Sequence, residues 1–173
     1  ILIGQEKRIM QSRHFGIRKA DFLLAVFLVF TTDLANADSD IKLSKGELVY
    51  VSTYSNVFVN NLNTKFQLST LLSIRNTDPK YPITVLLADY FDTDGRKIKS
   101  YIYSPVRLAP LASKIYFVEP QDTTGGAGAN FLVKWEADQP VNQPIIEAVM
   151  SNLYNNQGLA FRIPGKVISD HSK

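Results

Sequence analysis

The sequence predicts an all-β fold, an antiparallel, immunoglobulin-like β-sandwich of about seven to eight strands behind an N-terminal signal peptide. Three observations predict it. From Leu48 onward, apolar and polar residues alternate with the two-residue repeat of a half-buried strand. Clusters of Gly, Pro, Asp and Asn interrupt that alternation at short intervals. No stretch sustains the period of an amphipathic helix.

The chain has 173 residues, and its first 37 read apart from the rest. Residues 10–37 have the order of a secretory signal peptide: basic Arg13, Arg18 and Lys19, the apolar run Phe22–Phe30, then Ala35-Asn36-Ala37. Residues 1–9 add nothing to that signal and read as upstream sequence. The apolar run is too short to span a bilayer as a helix, which takes roughly 20 residues. The expectation is a periplasmic or secreted protein, cleaved after Ala37, with no membrane span afterwards. There is no Cys to acylate, to bridge or to bind a metal as thiolate.

The leader also accounts for most of the net charge of +3. It holds five of the 19 basic residues and three of the 16 acidic ones, leaving 14 against 13 behind it. A nucleic-acid partner requires a basic stripe to neutralise phosphates, and none remains.

Residues 38–46 read as a loose segment, 47–168 as the sandwich and 169–173 as a tail. The strands expected in order are Leu48–Tyr54, Phe66–Ile74, Ile83–Phe91, Lys97–Tyr103, Ile115–Val118, Asn130–Glu136, Ile145–Leu153 and Gly158–Ile163. In the second, Phe66, Leu68, Thr70, Leu72 and Ile74 share a face; in the sixth, Phe131, Val133 and Trp135 do. Asp92-Thr93-Asp94-Gly95 is a hairpin signal. Asn76–Pro79, Pro105–Pro110 and Asp138–Pro144 read as turns or loops.

Several segments together resemble a known family. They are Leu48–Ser55, Leu72–Asp78, Ala88–Gly95, Gly125–Phe131 and Pro144–Met150. In this order they are similar to those of the bacterial domain-of-unknown-function family 3124, over about Gly46 to Ile168. The resemblance implies an exported bacterial protein with no assigned activity. Some members are lipoproteins, from which this chain departs by having no cysteine.

The candidate sites are few. His14 lies in the leader and His171 in the tail, so the expected core has neither His nor Cys. That removes Ser-His-Asp and Cys-His catalysis and the usual zinc sites. The most unusual segment is Asp122–Asn130. Gly125, Gly126 and Gly128 let backbone N–H groups approach an anion or peptide, with Asp122 and Asn130 flanking them. No Lys-Ser/Thr follows, as a nucleotide loop would require. The same glycines also suit a tight connection. Asp89, Asp92 and Asp94 offer oxygen ligands for calcium, but without the spacing of a twelve-residue calcium loop. Glu147 shares a strand face with Ile145 and Val149, and Arg75 or another base is expected to neutralise it. Tyr50, Tyr54, Tyr90, Tyr101, Tyr103 and Tyr116 suit the pleated surface of strands; an exposed row of them would suit a glycan or a partner.

The functional expectation is therefore a non-enzymatic binding or interaction module of the cell envelope, with no cofactor and no metal. Its partner would be a protein, peptide or glycan, held by loop 122–130 and an edge strand. The alternatives are a carboxylate-dependent hydrolase of glycan or peptidoglycan, pairing Asp122 with Glu147, and a calcium-stabilised structural module.

Overall fold

The computed structural model describes residues 42–59, 64–154 and 157–170. The chain divides into two units, Ile1–Asp40 and Ile41–Lys173, and the described residues belong to the second. The leader, His14 and His171 lie outside them. No helix among the described residues is long and apolar enough to cross a membrane.

The strands are β1 (Leu43–Ser52), β2 (Asn56–Val59), β3 (Thr64–Gln67), β4 (Ser69–Arg75), β5 (Ile83–Phe91), β6 (Lys97–Ser100), β7 (Val106–Leu108), β8 (Ser113–Val118), β9 (Asn130–Asn142), β10 (Ile145–Tyr154), β11 (Gln157–Pro164) and β12 (Lys166–Asp170). One sheet runs β12-β1-β9-β5-β6, with β7 also paired to β5; the other runs β11-β10-β4-β8. All their pairings are antiparallel, and the two sheets pack face to face as a sandwich. A two-stranded ribbon, β2-β3, is paired into neither sheet.

The predicted alternation is what fills the space between the sheets. Phe131, Val133 and Trp135 of β9 are fully buried, as are Leu72 and Ile74 of β4 and Ala148 and Met150 of β10. Burying such side chains contributes roughly 1.5–3 kcal/mol each for the large ones.

Four expectations need correction. Residues 43–46 are not loose: β1 begins at Leu43, because Leu43 and Ser44 pair with Asn142 and Val141 of β9. The tail shortens likewise, since Ser169 and Asp170 pair with Leu48 and Glu47 of β1. The stretch Asp138–Pro140, expected as a turn, lies inside β9. There Lys45 alone stands opposite Ala137 through Pro140, a bulge in which Pro140 needs no ladder hydrogen bond. Finally, Pro105–Pro110 contains β7, held by pairing Ile83 with Leu108. With β2, β7 and β12 added, and the expected strand Phe66–Ile74 divided at Leu68 into β3 and β4, the eight expected strands become twelve among the described residues.

At one end of the sandwich, the Asn76–Pro79 turn is a buried polar corner. Asn76 Nδ2 donates to the carbonyls of Tyr81 at 2.8 Å and Ala109 at 3.0 Å, and Asn76 Oδ1 accepts the Asp78 N–H at 3.0 Å. Asp78 in turn accepts the N–H groups of Lys80, Tyr81 and Asn142 at 2.8, 2.9 and 3.1 Å. Beside it, Thr77 donates to the Gln143 carbonyl, and the Gln143 side chain donates to buried Glu47. The opposite end carries the glycine loop and the ribbon.

Candidate functional site

The glycine loop leaves β8 and returns to β9 through one 3₁₀ turn, Gly126–Gly128. It is tied down on three sides. Ser55 N–H donates to the Gly126 carbonyl at 3.0 Å, and Thr53 N–H to the Ala129 carbonyl at 2.9 Å. From the β5-β6 hairpin, Thr93 Oγ1 donates to the Gly125 carbonyl and accepts the Gly128 N–H, both at 3.0 Å. Asp122 holds the loop's own start, accepting the Thr124 N–H at 3.1 Å and the Thr124 hydroxyl.

The glycines are required by this packing. Gly126 has φ +72°, and a Cβ there would lie 2.5 Å from Thr93 Oγ1. A Cβ on Gly125 would overlap the Tyr90 hydroxyl, which hydrogen-bonds Ser55 Oγ at 3.1 Å. Burial raises the Tyr90 pKa above 10.0. Asn130 begins β9 and pairs with Ser52 and Phe91.

The loop faces the β2-β3 ribbon across a cleft of about 400 Å³. Asn56 pairs with Gln67, and Phe58 with Lys65. By the two-residue repeat, these four residues share one face of the ribbon. All four line the cleft, opposite Thr123, Gly126 and Ala127 of the loop. Val57 and Phe66, of opposite parity, pack against the core. Asn56 is 5% exposed, and its Oδ1 has no hydrogen-bond partner among the described residues. An acceptor left so costs about 1–3 kcal/mol. A second hollow of about 480 Å³ lies along β10 and β11, lined by Ser69, Ser151 and Leu153 among others. There the Ser69 hydroxyl already donates to the Ser151 carbonyl at 2.7 Å, so its polar groups satisfy one another.

The other candidates stand elsewhere. Arg75 lies at the end of β4 remote from the loop, and its Nε donates to Ser73 Oγ at 3.0 Å. Glu147 is neutralised by Arg162 rather than Arg75, at 3.0 Å. Ile146, Ala148 and Met150 take the buried face of β10; on the other face both arginines lie diagonal to Glu147, Arg162 across from Val149 and Arg75 across from Ile145, and Arg75 turns its Nε to Ser73 instead. Glu147 sits opposite Ser73 in mid-sheet, whereas Asp122 lies beyond the end of β8, and the two are not brought together.

Asp89 pairs with Lys97 at 3.0 Å and Asp94 with Arg96 at 3.3 Å. Asp92 Oδ1 accepts the N–H groups of Asp94 and Arg96 at 2.9 and 2.8 Å, closing the expected hairpin turn with Gly95 at φ +78°. Among the described residues no group of acids or histidines is placed to hold a metal ion. The tyrosines form no exposed row among the described residues. Tyr90 is in the core, Tyr101 and Tyr116 contact each other at 5.5 Å, and Tyr103 is 89% exposed.

The loop is the part of the cleft that composition marks. The ribbon face has only a quieter signal, the alternation of Asn56 with Phe58 and of Lys65 with Gln67.

Comparison with known proteins adds a family and no activity. No curated protein matches the chain. A crystal structure of a Thermotoga maritima protein is similar at 10% identity and a TM-score of 0.42, over 71% of this chain and 93% of that one. The sequence profile of a family of proteins of unknown function, DUF3124, matches residues 46–168, and the chain belongs to that family.

Proposed function

We propose that the chain is an exported, non-enzymatic binding module of the cell envelope whose ligand sits between the β2-β3 ribbon and the glycine loop. One observation carries the reading: Asn56, Lys65, Gln67 and the exposed ring of Phe58 face the glycine loop across one cleft of about 400 Å³. Ligand sites are concave and combine an apolar or aromatic surface with a few convergent polar groups, as this cleft does. The loop opposite is anchored through Thr93 and Ser55, so the wall is preorganised. Export rests on the leader pattern of residues 10–37.

The test places a photocrosslinking residue at Phe58 of the full chain in an exporting bacterium. The expected result is a discrete adduct that Ala127→Trp, which fills the cleft, abolishes without lowering the melting temperature. The same probe at Lys114, on β8, should yield no such adduct. An adduct that survives Ala127→Trp overturns the reading. N-terminal sequencing of periplasmic material checks export, with Asp38 expected first.

A further inference from the structure

We propose that the cleft takes an acidic saccharide, a sugar chain that carries both hydroxyls and carboxylates. This rests on the cleft being the binding site, and it concerns what the cleft recognises.

Three groups on one ribbon face set the chemistry. Asn56 brings a side-chain amide to the cleft wall, a group that hydrogen-bonds sugar hydroxyls. Phe58 is 58% exposed, a large aromatic surface left open beside that amide. An aromatic ring so placed packs against the apolar C–H face of a pyranose, while amides at the same wall read its hydroxyls. Lys65, cross-strand from Phe58, makes no ion pair among the described residues. No carboxylate is among the described residues that line the cleft, so the charge it presents is that of a cation, which selects an anionic group on the ligand. Gln67 and Thr123 add further donors and acceptors.

Where the ribbon joins the loop the backbone is already spent, Ser55 N–H on the Gly126 carbonyl and the Ser55 carbonyl on Leu68 N–H. What the cleft offers is side-chain amides, a hydroxyl, an ammonium and a ring.

Titration calorimetry with the full chain tests this, using oligogalacturonate, a neutral malto-oligosaccharide and polyglutamate as probes. Oligogalacturonate should bind, and Phe58→Ala and Lys65→Gln should each weaken it at least tenfold. Lys114→Gln should leave it unchanged. Added salt should weaken binding by the parent chain far more than by Lys65→Gln. Equal affinity for the neutral sugar overturns the acidic requirement. Polyglutamate binding that Phe58→Ala weakens, with no saccharide bound, overturns the saccharide class and leaves the cleft standing. Saccharide binding that neither variant changes overturns both. If no probe binds, the saccharide proposal falls, and the Phe58 crosslinking result decides the cleft on its own.

Discussion

Gly125 and Tyr90 occupy adjoining space so closely that the glycine's missing side chain is where the tyrosine hydroxyl lies. A buried tyrosine from β5 thereby fixes how near the glycine loop can approach the core. Gly125→Ala should lower stability by about 1–3 kcal/mol through overpacking. Gly126→Ala should cost a similar amount, because φ +72° is strained for any residue with a Cβ. Denaturant titration checks both, read by the fluorescence of Trp135, the chain's single and fully buried tryptophan.

Asp78 anchors the opposite end. The backbone N–H of Lys80 foremost, with those of Tyr81 and Asn142, holds its carboxyl below 3.8, against a smaller opposing effect of burial. A folded pKa below the unfolded one means stability that is present above about pH 3.8 and is lost as pH falls through the folded value. Asp78→Asn should remove that part of the acid dependence and destabilise the fold at neutral pH. Melting temperatures of both proteins from pH 7 downward check it.

Tyr101 should show the reverse sign. Burial, then the negative charge of Asp122, pushes its pKa up to about 12. Its contribution is complete below pH 10 and is lost as pH rises from 10 through about 12. Ultraviolet titration should find late phenols, of which Tyr101→Phe removes one near 12, and that variant should unfold less steeply in alkali.

The Glu147–Arg162 pair should matter little. Arg162 is 69% exposed at its side chain, so solvent screens the attraction. Arg162→Ala should cost about 0.2–1 kcal/mol, less in high salt, and Arg75→Ala should leave Glu147 untouched. A double-mutant cycle of Glu147 with each arginine separates the two partners.

The sandwich is legible in the sequence wherever one face of a strand is dry. Phe131, Val133 and Trp135 alternate with Lys134 and Glu136, and hydrophobic burial obeys that alternation strictly. It is illegible where pairing depends on remote partners. Nothing local in Leu43-Ser44 announces a strand; Asn142 and Val141 make it one. The same holds for the site. Glycines at 125, 126 and 128 advertise a special backbone whatever its use. Asn56 looks like any polar residue until the fold buries its amide and leaves the oxygen unpaired among the described residues. For Glu147 the sequence predicts Arg75 or another base, and only the pairing of β11 with β10 brings Arg162 to it.

The bond between the first described strand and the last has a temporal meaning. β1 is flanked by β9 and β12, so neither of its ladders can form until residues far along the chain are free to reach it. Loop-closure entropy makes such remote pairing slow. A polypeptide threading through a narrow channel from its N-terminus would carry β1 across with both of its neighbours still on the other side. The larger sheet would close only after passage is complete, and the topology itself would keep the chain pliable in transit.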